Sequence, residues 1–153
     1  MSLLAHNYLP LPSILVLVSD RLGASNVSLL DSCDQQITVQ FSLDDMLNTI
    51  TFVYVNILSS SRHFLLQELY HIFSLVTDSW FFMGDFNACS GAQKKTSSPP
   101  SRCSCLDFIK TVEDCNLTCL DTKDPFFTWT NNRWGRDVID IRLDRVLCNF
   151  ASF

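Results

Sequence analysis

One stretch, residues 49–87, constrains the fold of this chain more than any other. "TITFVYV" (49–55) is dense in β-branched and aromatic residues and reads as a strand. "SSSRHFLLQELYHIFSLV" (59–76) then places Leu65, Leu66, Leu69, Ile72, Phe73 and Val76 at the helical period, with an N-cap expected near Ser60 or Ser61. "WFFM" (80–83) follows as a second buried strand and runs straight into "GDFN" (84–87). Strand, helix and strand in such quick succession favour a layered α/β domain.

The flanking sequence fills out the layers. Residues 14–18 ("ILVLV"), 26–31 ("NVSLLD") and 36–42 ("QITVQFS") read as strands, the last two separated by a polar turn at 32–35. The stretch 91–101 ("GAQKKTSSPPS") is small, polar and proline-containing, and reads as a long loop. "CLDFIKTVEDCN" (105–116) predicts a second helix with Leu106, Ile109 and Val112 inward, closed by Asn116 in a left-handed cap. "LTCLD" (117–121) reads as a short strand. "FFTWT" (126–130) and "DVIDIRLDRVL" (137–147) flank the turn "NNRWGR", a hairpin pattern. Residues 1–13 read as an irregular lead-in and 14–153 as one domain.

Composition narrows the function classes. Hydrophobic residues make up 47% of the 153 and charged residues 18%, enough for one domain with a real core. A net charge of −5 leaves phosphate contacts to a local patch. The seven cysteines form no CxxC pair, and no histidine stands at zinc-finger spacing, so they read as small buried hydrophobes in a reducing compartment. No Lys or Arg precedes Arg21, Pro10 and Pro12 interrupt the first apolar run, and residues 14–18 are too few to cross a bilayer. The expectation is an intracellular, nuclear or cytoplasmic chain with no membrane partner and no small-molecule cofactor.

The candidate chemistry starts at Asp85 and Asn87, delivered by a buried strand, where α/β sheets present ligand sites. A carboxylate can take a proton from water or bind a hard cation, and a neighbouring carboxamide can donate to a phosphate oxygen without adding negative charge. The same pair also suits an Asx turn. Asp144, between Arg142 and Arg145 in "RLDR", reads either as an ion pair on a sheet face or as a carboxylate orienting a histidine. Tyr54 reads either as a buried aromatic or as a hydroxyl donor at the same site.

The order "TFVY … SWFFMGDFNA … CLDFIKTVEDCN … FFTWTNNRWGR … RLDRVLCN", over residues 34–149, resembles the endonuclease/exonuclease/phosphatase superfamily, nearest in pattern to the endonucleases of plant LINE-type (non-LTR) retrotransposons. The resemblance implies a four-layer α/β sandwich: two packed, mainly antiparallel sheets flanked by helices, here truncated at both ends. It implies a DNA endonuclease dependent on Mg²⁺ or Mn²⁺. Asp85 would activate water and bind the metal, Asn87 would hold the scissile phosphate, Tyr54 would bond a phosphate oxygen, and Asp144 would orient the catalytic histidine. The hairpin 129–136, with Trp129, Asn131, Asn132, Arg133 and Arg136, would lie against the nucleic acid backbone.

The sequence also departs from that pattern. The family's opening strands end in a catalytic asparagine and a metal-binding glutamate, and no Glu precedes Glu68 here. The Ser-Asp-His motif that follows "RLDR" in the family has no counterpart before Phe153, and the "HEK" after GDFNA is "AQKK" (92–95). The chain by itself is therefore expected to be poor at turnover. The other reading is a non-catalytic, retroelement-derived remnant that binds nucleic acid or protein. A phosphatase-like branch of the superfamily is less well matched by FTWTN and RLDR.

Overall fold

Six strands form the central sheet. The structure, a computed structural model, describes residues 2–6, 13–22, 26–87, 102–121, 123 and 127–149. The elements are β1 (Ser2–His6), β2 (Leu15–Val18), β3 (Val27–Ser32), β4 (Gln36–Leu43), β5 (Met46–Tyr54), α1 (Ser59–Leu75), β6 (Ser79–Asp85), α2 (Arg102–Asp114), β7 (Thr118–Cys119), β8 (Trp129–Thr130), β9 (Asp140–Ile141) and β10 (Asp144–Cys148). The large sheet runs β3-β4-β5-β6-β10-β7, and two small sheets pair β1 with β2 and β8 with β9. Only β5 and β6 pair in parallel within the large sheet, because α1 carries the chain back between them.

Each face of the sheet has its own core. Alternation sends Val53 of β5, Trp80 and Phe82 of β6 and Leu147 of β10 to one face, where they meet Leu65, Leu69 and Ile72 of α1 and Phe108 of α2. Trp80 is fully buried and donates its indole N–H to Thr51 Oγ1 at 2.9 Å, which satisfies the indole donor. On the other face Ile37, Val39, Ile50 and Phe52 pack under the β1–β2 hairpin, through Ala5, Ile14, Val16 and Val18. The layers match the expected α/β sandwich. Among the described residues no helix is long and apolar enough to cross a membrane.

Several local expectations change. The lead-in contains β1, a strand paired with β2, rather than irregular chain throughout. β4 and β5 form a hairpin closed by Asp44 and Asp45, both at positive φ (51° and 62°), so β5 begins at Met46. The N-cap of α1 is Leu58, not a serine; Asn56 Oδ1 accepts the Leu58 N–H at 2.9 Å. In α2, Leu106 is 58% exposed while Phe108 turns inward, its ring tilted at 59° against Phe86 at a centroid distance of 5.1 Å. Asn116 (φ 51°) ends α2 as expected, with Leu117 N–H bonded to Val112 O at 2.8 Å and Asn116 N–H to Glu113 O at 3.0 Å, a Schellman arrangement. The segment 137–147 is split into β9 and β10. The loop expected at 91–101, including the "AQKK" stretch, lies outside the described residues.

Candidate active site

The large sheet brings three of the four proposed catalytic residues into one row. Tyr54 ends β5, Asp85 ends β6 and Asp144 opens β10; the register pairs Tyr54 with Asp85 and Asp85 with Asp144. Residues paired across adjacent strands point to the same face. All three therefore stand at one end of the sheet, on the face opposite the helices. Tyr54 is 48% exposed, so its hydroxyl is not a buried core group.

Asn87 joins the row by a turn. Phe86 drops into the helical core (2% exposed), edge-on to Phe82 at 4.8 Å, and its N–H bonds Leu143 O at 3.1 Å. Asn87 then takes φ 44°, a conformation asparagine tolerates better than most residues. Asn87 N–H donates to Asp85 Oδ1 at 2.8 Å, so the Asx turn allowed by the sequence is present. Asn87 Nδ2 donates one hydrogen to Val55 O at 2.6 Å, which fixes the carboxamide beside the end of β5.

Electrostatics distinguish Asp85 from an ordinary surface carboxylate. Burial pushes its carboxyl above the usual value, and the facing Asp144 pushes the same way. The Asn87 N–H and the positive charge of Arg145 act in the opposite sense. Two carboxylates directly opposite on neighbouring strands repel, and a cation between them would relieve that repulsion. Among the described residues no group of three His, Cys, Asp or Glu side chains is assembled as a metal site. The donor set thus fits a hydrated Mg²⁺ or Mn²⁺ held by one or two carboxylates, and does not fit a closed protein cage.

Arg142 and Arg145, which flank Asp144, are buried, at 2% and 3% exposed, rather than on the surface. Arg145 lies over the Phe108 ring at 5.0 Å and donates through Nη2 to Arg142 O at 2.9 Å. Asp144 is placed by Thr128, whose Oγ1 accepts the N–H groups of Leu143 and Asp144, each at 3.0 Å. Between the β1–β2 hairpin and the end of the large sheet lies a cleft of about 640 Å³, with Phe52 and Met83 on its floor and Tyr54, Asp144, Thr128 and Lys123 along its lining. Lys123 carried no signal in the sequence, and Thr128 stood within FTWTN without a role of its own; only the folded neighbourhood of Asp144 marks them.

The hairpin 129–136 stands apart from the cleft floor. Asn131 is used structurally: its Oδ1 accepts Arg133 N–H (3.2 Å) and Ile139 N–H (3.0 Å), and its Nδ2 donates to Asp137 O (2.8 Å). Asn132 takes the left-handed turn at φ 54°. Trp129 is 46% exposed, Arg133 is exposed, and Trp134 at the tip is 92% exposed. The side chain of Arg136 lies outside the described residues.

No family model and no curated protein matches the sequence. Solved structures do. The endonuclease domain of TRAS1, a telomere-specific non-LTR retrotransposon, superposes with a TM-score of 0.65 at 16% identity, covering 81% of this chain and 55% of that one. An endonuclease/exonuclease/phosphatase family protein from Leptotrichia buccalis superposes with a TM-score of 0.52 at 15% identity, covering 74% of this chain and 42% of that one. The chain has the endonuclease/exonuclease/phosphatase fold. At these identities the likeness concerns the fold, and this chain spans about half the length of each of those two. Within the endonuclease/exonuclease/phosphatase fold, the end of the sheet carrying Tyr54, Asp85 and Asp144 is where the sequence motifs meet.

Proposed function

We propose that the chain carries the phosphate-handling half of a metal-dependent phosphodiesterase site, of the DNA endonuclease kind found in LINE-type retrotransposons. The observation that carries this reading is the row Tyr54–Asp85–Asp144 across three neighbouring strands, with Asn87 fixed beside it in a turn. Asp85 takes the proton from the attacking water, and its burial strengthens it as a base. Asn87 donates its second carboxamide hydrogen to the scissile phosphate, and Tyr54 donates from its hydroxyl to another phosphate oxygen. Asp144 is the carboxylate that would orient a histidine; His63 and His71 lie on α1, across the sheet from it, and the side chain of His6, on β1, lies outside the described residues. A Mg²⁺ or Mn²⁺ ion held by Asp85, with Asp144 opposite, would neutralise charge developing on the phosphate.

Among the described residues no third carboxylate or histidine joins Asp85 and Asp144, so the pair by itself is expected to bind rather than turn over efficiently. The assembled carboxylate pair favours this reading over an inert remnant, whereas the carboxamide bond of Asn87 to Val55 favours the remnant. Duplex DNA titrations with and without Mn²⁺ separate them. Weak, salt-sensitive binding that tightens with Mn²⁺ in the wild type, and not in Asp85→Ala, is expected, with plasmid nicking no greater than in that variant. An affinity indifferent to both Mn²⁺ and Asp85 would leave the remnant reading.

A further inference from the structure

The turn that aims Asp85 and Asn87 is held from outside by a residue of the helical layer. Arg62, in the first turn of α1, donates from Nη1 to Asn87 O and to Ile57 O, each at 3.0 Å. One guanidinium thus joins the β5–α1 loop to the β6 turn. The helix end from which Arg62 starts is itself pinned. Gln35, 4% exposed, accepts Asn56 N–H on Oε1 at 2.8 Å and donates from Nε2 to Ser61 O at 3.0 Å. On the other side, Val55 N–H bonds Asp85 O at 2.8 Å and Val55 O receives the Asn87 carboxamide.

We propose that Arg62 is a positioning residue, whose guanidinium holds the Asn87 carbonyl and so keeps the Asn87 side chain and the Asp85 carboxylate aimed at a common phosphate. The inference rests on the reading of Asp85 and Asn87 as the phosphate-handling pair. Asn87 sits at positive φ, which asparagine tolerates better than most residues but which is not its favoured backbone, so ties from outside help to keep it there. The ties within the turn, Asn87 N–H to Asp85 and Asn87 Nδ2 to Val55, all run through Asn87 itself. The bond from Arg62 fixes the same residue from a different element and carries a full charge, which makes it the stronger kind of hydrogen bond. Without it Asn87 is held at positive φ by its own two bonds alone, and both are expected to open more often.

The test is amide hydrogen exchange on the ¹⁵N-labelled chain, comparing wild type with Arg62→Met and Arg62→Lys. Arg62→Met keeps the aliphatic stem and removes the donors. Exchange at the Asn87 N–H should quicken about tenfold or more, and its carboxamide resonances should shift, as expected on losing a charge-assisted hydrogen bond. Amides of Phe82 and Leu147, in the middle of β6 and β10, should keep their wild-type rates. Arg62→Lys, which can still donate to one carbonyl, should restore part of the protection. An Asn87 amide that exchanges at the wild-type rate in Arg62→Met would overturn the proposal, as would a uniform loss of protection through β6 and β10 in both variants. The outcome does not depend on activity: failure of the nuclease reading would appear as DNA binding indifferent to Mn²⁺, whatever Asn87 does.

Discussion

Gly84→Ala is the substitution that most directly probes how the row is built. Gly84 precedes Asp85, lies between Val53 of β5 and Arg145 of β10, and has φ 138°. A Cβ added there would stand 2.0 Å from Val53 O, 3.0 Å from Val53 C and 3.1 Å from Val53 N. A carbon and a carbonyl oxygen ordinarily approach to about 3.3 Å, so β5 and β6 must part by more than about 1 Å at the step before Tyr54 and Asp85. The obstacle is backbone and cannot swing aside. Overpacking costs about 1–3 kcal/mol and the imposed backbone strain about 1–3 kcal/mol, which together make a loss of about 2–6 kcal/mol. Urea unfolding followed by tryptophan fluorescence measures it, with fully buried Trp80 as the responsive probe. Gly135→Ala is the matched control: its φ is 69° but nothing lies within 4 Å of an added Cβ, so it should cost only about 1–2 kcal/mol. A Gly84→Ala loss below about 0.5 kcal/mol, or one no larger than the control, would refute the close β5–β6 approach.

Two further outcomes are expected. Tyr70 donates its hydroxyl to Asp114 Oδ2 at 2.7 Å, linking α1 to α2, and that bond chiefly raises its pKa above the usual 10.0. Its stabilising effect is therefore complete below about pH 10 and fades as pH rises through the higher folded value, so wild-type stability should fall more steeply above pH 10 than that of Tyr70→Phe, read by urea midpoints. Asn131→Ala removes three hydrogen bonds that shape the hairpin. It should lower the tryptophan fluorescence anisotropy contributed by exposed Trp134 while shifting the global midpoint by about 1 kcal/mol or less; unchanged anisotropy would count against an ordered hairpin.

The core of the account was legible in the sequence because its periods are strong. β5, α1 and β6 follow from a β-branched run, a 3.6-residue apolar stripe and an aromatic run, and those elements alone put Asp85 at a sheet end. What escaped has identifiable causes. Asp44-Asp45 is a two-residue turn without the Asn-Gly signature, so the β4–β5 hairpin did not stand out. Leu106 and Phe108 both fit an amphipathic pattern; the aromatic row through Phe86 and the charge of Arg145 over the ring decide for Phe108. β1 is only five residues long, and His6, Asn7, Pro10 and Pro12 break up the apolar pattern around it. Arg62 and Lys123 carry no motif, and Thr128 stands inside FTWTN without a role of its own there; only the meeting of separate elements gives them a place near Asp85 and Asp144.

The central claim, that Asp85 and its neighbours form one cation- and phosphate-handling site, is tested most directly by paramagnetic broadening with Mn²⁺ on the ¹⁵N-labelled chain. Selective loss of the Tyr54, Gly84–Asn87 and Asp144 amide signals is expected at low Mn²⁺. The effect should be reversed by excess Mg²⁺ and absent in Asp85→Ala. Broadening centred elsewhere on the chain, or broadening around Asp85 that survives in Asp85→Ala, would contradict it.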